Sequence, residues 1–240
     1  MQKTFQILRW CFLSSAIFCL TFLANQMHEE QIVYLKEINI EESDFQFITR
    51  EIILDYIESH TFDFDSVLLS SFDLNLLEKI LLNHSAIKNV DVYINQEGLL
   101  GINIQPRRAI VRFKNSIVDY YLDEDGREMP LSENYTARVL VVSGDISPLV
   151  HSKVFDFLQI VNQNDFWKSQ IVQLNINRDE VVIIPRVGNH KIYFGRLSEI
   201  KEKLENLYQF YKQVMPLKGW QTYSEISLKY NQQIVCTKRE

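Results

Sequence analysis

Residue types able to carry catalysis are few in this sequence, and none stands at a spacing typical of a catalytic or metal site. No histidine has a second histidine four residues away or a cysteine pair nearby, which are the spacings that zinc requires. No Gly-x-Ser-x-Gly motif and no phosphate-binding glycine loop occurs. We therefore expect no enzymatic activity, no metal, no cofactor and no small-molecule substrate. The five histidines are His28, His60, His84, His151 and His190.

Two groups of carboxylates need a separate interpretation. Asp63 and Asp65 could form a catalytic pair, but a solvated loop explains them better. Asp123, Asp125 and Gly126 share three positions with a calcium-binding loop. The third acidic ligand before the glycine and the glutamate six residues after it are missing. A hairpin turn is therefore the favoured interpretation of this segment.

The cysteines indicate neither disulfides nor covalent catalysis. Cys11 and Cys19 lie in an apolar N-terminal stretch, so Cys236 is alone in the rest of the chain. It cannot form an intrachain disulfide there, and stability must come from packing. Cys236 has no nearby histidine, so it is better explained as a small strand residue than as a nucleophile.

Charge excludes one class of partner. The chain has 25 basic and 31 acidic residues, a net charge of −6, so no basic excess is available to meet the phosphates of a nucleic acid. One local basic group is formed by residues close together in sequence, namely Arg107, Arg108, Arg112 and Lys114. This group could bind a partner protein, and a solvated hinge between two domains is an equal alternative. Pro106, directly before it, cannot donate to a strand ladder and indicates a boundary or an edge.

The apolar stretch Trp10 to Met27 predicts a single transmembrane helix. Its eighteen residues carry no charge and would span roughly 27 Å as a helix, close to a hydrocarbon core of about 30 Å. Residues 1–9, with Lys3 and Arg9, would form a cytoplasmic tail, and the rest of the chain would lie outside. A cleaved signal peptide is the main alternative, and a buried core helix is a further one.

Residues 28–107 predict a small α+β domain. Alternating apolar residues over 31–40 indicate a first strand, and Ile48 to Ile57 have helical spacing. Asp73 is a candidate N-cap for a second helix that ends near Asn83. Two further strands follow around the turn Asn95 to Gly98. The order strand, helix, helix, strand, strand would place two helices on one face of a three-stranded sheet.

Residues 108–240 predict a mixed, strand-rich domain with two helices. The apolar spacing favours a helix from Val150 to Val161 and a longer one that begins after Ser198. Short strands fill the remainder, and the chain closes with a predicted strand from Gln232 to Lys238. At a sheet edge such a strand would offer free N–H and C=O groups to an incoming strand. The alternative is that Ile234 and Cys236 only pack inward while charged neighbours keep the edge soluble.

The order of motifs resembles the bacterial cell-division protein family FtsQ (DivIB), over nearly the whole chain. The similar runs in residues 28–107 are Phe72-Asp73-Leu74, Leu77, Leu81, Ile87-Lys88-Asn89-Val90, Gly98-Leu99-Leu100, Ile102, Ile104 and Gln105-Pro106-Arg107-Arg108. The similar runs in residues 108–240 are Tyr120-Tyr121-Leu122-Asp123, Gly126, Met129-Pro130-Leu131-Ser132, Ile192, Phe194-Gly195-Arg196, the helix from Lys203 to Tyr211, and Ile226-Ser227-Leu228-Lys229-Tyr230.

Two departures from the family pattern are visible. His84-Ser85-Ala86 stands where the family often has a proline before the apolar residue, here Ile87. The sequence ends at Glu240, directly after the last predicted strand, so we expect no contact from a longer tail.

The resemblance implies a single membrane helix, a POTRA domain over 28–107 and an FtsQ-type β-domain over 108–240. It also implies a protein of the inner membrane at the division septum, with its bulk in the periplasm, that holds FtsB and FtsL and helps to control septal wall synthesis. In the family, FtsB docks on the terminal strands and the preceding helix. By position, this points to Tyr230, Gln233, Ile234, Val235 and Thr237.

Two other classes of function stay open at this stage. One is a POTRA-containing component of export or secretion, although no repeated POTRA unit and no following membrane barrel is visible. The other is a membrane-anchored hydrolase, for which no residue offers itself as the catalytic group. Localisation distinguishes the first two classes, since midcell rings favour cell division and even peripheral staining favours export.

Overall fold

The computed structural model describes residues 9–10, 12–22, 31–42, 47–60, 67–132 and 135–240. Contacts between Cα atoms divide the chain into two compact units, Met1–Arg107 and Arg108–Glu240. Both helices and strands are present in each unit, so the predicted α+β character is confirmed.

The described part of the N-terminal region contradicts the predicted transmembrane helix over residues 10–27. Residues 9–10 and 12–22 are helical. Among the described residues, no helix combines the length and the apolar character needed to cross a membrane. The prediction of a spanning helix is therefore wrong, because the absence of charge over eighteen residues does not by itself give a helix able to span a membrane. Residues 11 and 23–27 of the predicted span lie outside the described residues.

The first unit follows the predicted order of strand, helix, helix, strand, strand. Its elements are β1 (Tyr34–Ile40), α1 (Arg50–Ser59), a short 3-10 helix (Leu69–Ser71), α2 (Leu74–Leu82), β2 (Ile87–Ile94) and β3 (Leu99–Pro106). The Thr49 side chain accepts a hydrogen bond from the Ile52 N–H, and Asp73 accepts one from the Leu76 N–H at 3.0 Å. These two N-caps fix the starts of α1 and α2.

The sheet of the first unit has the strand order β1-β3-β2. Strand β1 runs parallel to β3, and β2 runs antiparallel to it. Leu100, Ile102 and Ile104 of β3 are buried, whereas Asn103 and Gln105 between and after them are exposed. One face of the sheet therefore packs against the core and the other faces solvent.

In its described residues, the second unit contains nine strands and three helices. Its elements are β4 (Ala109–Lys114), β5 (Asp119–Asp123), β6 (Glu128–Met129), β7 (Leu140–Gly144), α3 (Pro148–Val161), α4 (Asp165–Gln170), β8 (Ile171–Asn177), β9 (Glu180–Pro185), β10 (Lys191–Gly195), α5 (Ile200–Lys218), β11 (Tyr223–Ser227) and β12 (Val235–Lys238). Two helices were predicted, so α4 is an addition. It is only six residues long and begins at the Asn164 cap, which is too short to show a helical period.

The nine strands form one mixed sheet in the order β12-β11-β10-β9-β8-β7-β4-β5-β6. Strands β12 and β6 are therefore its two edges. Apolar residues on one face of the sheet pack with the helices into a single core. Its members include Phe113, Val142, Val154, Phe157, Leu174, Ile183, Ile192, Phe194, Leu204, Leu207 and Ile226.

Candidate interaction site at the edge of the nine-stranded sheet

Of the carboxylates considered for chemistry, Asp123 and Asp125 lie in the described part of the chain. Residues 61–66, with Asp63 and Asp65, lie outside the described residues. The Asp123 carboxylate is buried and accepts hydrogen bonds from the N–H groups of Asp125 and Arg127 at 2.9 and 2.7 Å. Asp123 thus stabilises the turn of its own hairpin. Within the described residues, no group of three or more metal-ligating side chains occurs.

Each of the described histidines contacts a different set of neighbours. His60 and His84 bond to backbone groups close to them in sequence, and His28 lies outside the described residues. His151 contacts the Tyr120 hydroxyl. His190 is fully buried, with Nδ1 3.0 Å from the Gly188 carbonyl oxygen and Nε2 2.7 Å from the Tyr211 hydroxyl. The His190 ring therefore links the start of β10 to helix α5.

Burial lowers the pKa of His190. The neutral ring suits the geometry, because Nδ1–H donates to the Gly188 carbonyl and Nε2 accepts from the Tyr211 O–H. Burial also raises the pKa of Tyr211, which keeps its hydroxyl protonated as the donor. This pair is a structural support for the loop before β10.

The predicted terminal strand is shorter than expected. It begins at Val235, which pairs with Ser227 of β11, and not at Gln232. Gln232 has a left-handed backbone with φ of 61°, which turns the chain and delays regular pairing. Strand β12 pairs with β11 on one side and has no second neighbour among the strands that the structure describes.

The backbone register shows which groups of β12 point away from the sheet. The Arg239 N–H donates to the Thr222 carbonyl at 2.9 Å, so the backbone groups of Arg239 face β11. In an antiparallel pair the facing direction alternates from residue to residue. The N–H and C=O groups of Val235 and Thr237 therefore also face β11. Those of Cys236 and Lys238 face outward, on the unpaired side of the strand.

The side chains of β12 divide between the two faces of the sheet. Val235 is 46% exposed and Thr237 is exposed, on the face away from the helices. Ile234 and Cys236 are half-buried and pack against the core. Burial raises the pKa of the Cys236 thiol, which disfavours the thiolate that a nucleophile needs.

The five residues predicted as a binding site thus have different environments. Tyr230, Gln233, Val235 and Thr237 are exposed, whereas Ile234 is half-buried. Tyr230, Gln233 and Ile234 line a groove beside helix α5, with Glu202 and Lys203 on the helix side. The structure therefore brings the strand and the turn before it next to the helix, with Tyr230 55% exposed at the rim.

The arginines predicted as a hinge or partner patch make individual contacts. Arg107 is buried, and its backbone N–H donates to the Ala86 carbonyl within the first unit. In the second unit, Arg112 donates two hydrogen bonds to the Asp119 carboxylate at 2.7 and 2.8 Å. Arg108 forms a longer ion pair with Glu124 at 3.8 Å. Arg112 therefore binds the Asp119 carboxylate in a bidentate geometry, which fixes the orientation of the guanidinium group.

Sequence reasoning missed the residues that hold the end of β12. Arg239 donates from its guanidinium to the Asn189 carbonyl and to the Gln221 side chain, the latter at 3.3 Å. Arg186 lies in the same region and donates to the Ser169 carbonyl at 2.8 Å. These residues are far apart in sequence and meet only through the register of the strands. No local sequence signal could have identified them.

The fold and this site define a protein with an open sheet edge beside a helix and, in the described residues, no metal-binding cluster. This arrangement is suited to binding another protein. A family model described as "FtsQ/DivIB, C-terminal related" matches residues 108–237, which is more than half of the chain. The chain belongs to the FtsQ/DivIB family, and the resemblance seen in the sequence is confirmed. Membership of this family implies a role in cell division and in the protein–protein interactions of that process.

Similar proteins are also found among solved structures. The chain is similar to the major extracytoplasmic domain of the trans isomer of the cell-division protein DivIB from Geobacillus stearothermophilus. The sequences are 12% identical, the TM-score is 0.34, and the match covers 46% of this chain and 96% of that domain. No curated protein matches the chain.

Proposed function

We propose that this protein is a non-enzymatic scaffold of the division machinery that binds FtsB, and through it FtsL, by pairing a strand of the partner with β12. Binding of this kind would help to control septal wall synthesis. The observation that carries the proposal is the unpaired outer side of β12, where Cys236 and Lys238 present their N–H and C=O groups. Strand addition to such an edge is a recurrent mode of peptide recognition.

Backbone pairing alone is too weak to hold a partner. Two outward-facing residues offer four hydrogen bonds, and each contributes about 0.5–1.5 kcal/mol net. The entropy cost of association is of similar or larger size. Side chains must therefore contribute, and Tyr230, Gln233, Val235 and Thr237 are exposed next to the edge to do so. Ile234 lines the groove beside α5, next to these exposed side chains.

The first unit fits the same role as a second interaction module. We propose that residues 28–107 form a POTRA domain and residues 108–240 an FtsQ-type β-domain. The order of elements in the first unit and its sheet order β1-β3-β2 support this assignment. The POTRA domain would contact other division proteins. The protein would act on the outer side of the cytoplasmic membrane at the septum.

A proline substitution tests the edge directly. Lys238→Pro removes an outward N–H and should be tolerated by the fold, since proline is accepted at edge positions whose N–H faces solvent. We expect Lys238→Pro to lose co-purification with FtsB, whereas Lys238→Ala, which keeps the N–H, should retain it. Circular dichroism of both variants confirms folding. Equal retention of FtsB by Lys238→Pro and by the unaltered protein would refute strand pairing at β12.

A cellular test addresses the role in division. Depletion of the protein should produce filamentous cells, and a fluorescent fusion should form rings at midcell. Complementation by Lys238→Ala, but not by Lys238→Pro, would connect the edge strand to septation. Even peripheral staining without filamentation would instead favour an export component.

A further inference from the structure

Three basic side chains line one cavity at the end of β12. Arg186 follows β9, Lys191 begins β10, and Arg239 follows β12. We call these three residues the cationic pocket. Ser224 and Glu225 of β11 line the same cavity. The pocket is on the face of the sheet away from the helices, because Lys191 pairs with Glu225 and Glu225 pairs with Thr237 in one cross-strand row.

The charges of the cationic pocket are not neutralised by the described part of the chain. None of the three residues forms an ion pair there, whereas the basic side chains Arg108, Arg112, Lys114, Lys153 and Lys229 all do. Arg186 and Arg239 donate only to neutral acceptors, namely the Ser169 carbonyl, the Asn189 carbonyl and the Gln221 amide. These contacts hold the two guanidinium groups in place without compensating their charge. An arginine with remaining N–H donors is suited to a carboxylate.

The acidic residue that lines the cavity is already engaged. Glu225 accepts a hydrogen bond from the Tyr193 hydroxyl at 3.0 Å and a longer one from Thr237 at 3.5 Å. The cavity therefore has three cations around one carboxylate, in a chain whose net charge is −6. A local excess of positive charge in an acidic protein attracts an anionic group to this position.

We propose that the cationic pocket binds a carboxylate side chain of the peptide segment that pairs with β12. The proposal rests on the proposed function, since it assigns a residue type to the partner strand. Residues directly opposite each other in paired strands have side chains on the same face. Partner residues opposite Val235, Thr237 and Arg239 therefore face the side of the sheet that holds the pocket.

This geometry defines a pattern for the partner segment. The residue opposite Val235 should be apolar or β-branched, because Val235 is an exposed apolar side chain. The residue four positions away along the partner strand is opposite Arg239 and should be Asp or Glu. A partner that pairs with β12 must pass the pocket, because Arg239 continues the pairing with β11 directly beyond the strand.

An acidic peptide fits the pocket better than a membrane or a nucleic acid. Those larger anions require an extended basic surface, and this chain is acidic as a whole. The pocket also includes the apolar side chains of Ile184 and Pro185, which suit a peptide side chain. A partner carboxylate beside three cations would fix the register of the partner strand on β12 and raise the rate of association.

The test is the affinity of the full chain for FtsB at low and high salt. The triple variant Arg186→Gln, Lys191→Gln, Arg239→Gln should weaken binding about tenfold at low salt and flatten the salt dependence. The control is Lys79→Gln, Arg138→Gln, Lys168→Gln, which makes the same change in net charge at exposed positions outside β12 and α5. Its affinity should stay within about twofold of the unaltered protein.

Replacing acidic residues of FtsB one at a time should identify a single position whose effect disappears in the triple variant. Equal affinities and salt slopes for the triple variant and the control would overturn the pocket assignment while strand pairing stands. Retained affinity in Lys238→Pro would overturn the pairing, and the pocket assignment with it. Co-sedimentation of the unaltered protein, but not of the triple variant, with vesicles containing phosphatidylglycerol would assign the pocket to lipid and overturn the proposal.

Discussion

The two edges of the nine-stranded sheet are built differently. Strand β6 has two residues, Met129 is 1% exposed, and the next residue, Pro130, has no N–H to offer. Strand β12 has four residues, its exposed side chains include Val235, and its outward backbone groups belong to Cys236 and Lys238. Proteins commonly blunt an edge with short strands and proline. Here the β6 edge is blunted in this way, whereas the outer side of β12 has no paired strand in the described part of the chain. We call β6 the closed edge and β12 the open edge.

In the proposed function, the open edge is the surface that binds the partner. An unpaired strand carries a risk of aggregation, which β12 limits by its short length and by the charged residues Lys238 and Arg239. The short length of β12 also makes backbone pairing with a partner strand weak unless side chains of the partner contribute. Binding at β12 should therefore depend on both backbone and side-chain contacts.

The largest expected effect is a loss of FtsB affinity when proline is introduced into β12 but not when it is introduced into β6. Cys236→Pro combined with Lys238→Pro should weaken FtsB binding at least about 100-fold, because both outward N–H donors are lost and each leaves a buried acceptor unpaired. Glu128→Pro is the matched change at β6. Its N–H also faces outward, since Arg127 faces β5 through its bond with the Asp123 N–H.

Isothermal titration calorimetry compares the two variants. Glu128→Pro should bind FtsB like the unaltered protein. Cys236→Ala with Lys238→Ala controls for the lost side chains and should retain most of the affinity. A similar loss in the β6 variant would remove the distinction between the edges.

The next effect concerns stability at the closed edge. Met129 is buried, so Met129→Ala should reduce the free energy of unfolding by about 2–5 kcal/mol through lost burial and a residual cavity. Urea denaturation measures this change. Binding of FtsB by the folded fraction should be unaffected. A loss of affinity at saturating folded protein would connect β6 to the binding site and contradict the account.

An acid-dependent effect is expected beside the closed edge. Hydrogen bonds from Arg112 hold the pKa of Asp119 below its usual value, with a further contribution from Lys114. A carboxyl group with a lowered folded-state pKa stabilises above its unfolded pKa of about 3.9, and this stability is lost as the pH falls through the folded value. Asp119→Asn should therefore cost about 1–2 kcal/mol at neutral pH.

Denaturation curves between about pH 2 and pH 7 check this prediction. The difference between Asp119→Asn and the unaltered protein should shrink as the pH falls below about 4. A difference that stays constant over the whole range would show that the Arg112 pair is not the source. Arg112→Gln should show the same pH dependence as Asp119→Asn.

The smallest effect in stability is expected at the open edge. Val235→Ala removes an exposed side chain, so the free energy of unfolding should change by less than about 0.5 kcal/mol. The affinity for FtsB should nevertheless fall about fivefold, because Val235 lies beside the outward-facing backbone. Thermal denaturation and calorimetry on the same sample compare the two effects. An unchanged affinity would remove Val235 from the binding surface.

Local signals in the sequence predicted the first unit well. The caps Thr49 and Asp73 and the turn from Asn95 to Gly98 each fix a structure within a few residues. Helix α4 was not predicted, because six residues are too few to show the helical spacing of apolar side chains. The start of β12 was predicted three residues too early. Gln232 has a left-handed backbone conformation, which cannot be predicted from a glutamine in the sequence.

The candidate site was predictable only in part. A terminal strand can be recognised from alternation, but its register cannot, and the register decides which backbone groups face outward. The cationic pocket depends on four strands in alignment, because Arg186, Lys191 and Arg239 are brought together by β9, β10, β11 and β12. The predicted membrane span is contradicted as well, since no helix among the residues that the structure describes is long and apolar enough to cross a membrane.

Hydrogen exchange of individual β12 amides tests the central claim most directly. In the free protein, the N–H groups of Cys236 and Lys238 should exchange rapidly, and those of Thr237 and Arg239, which face β11, should be protected. On addition of FtsB, the amides of Cys236 and Lys238 should become protected. If they stay unprotected in the complex, or are already protected in the free protein, β12 is not the strand that accepts the partner.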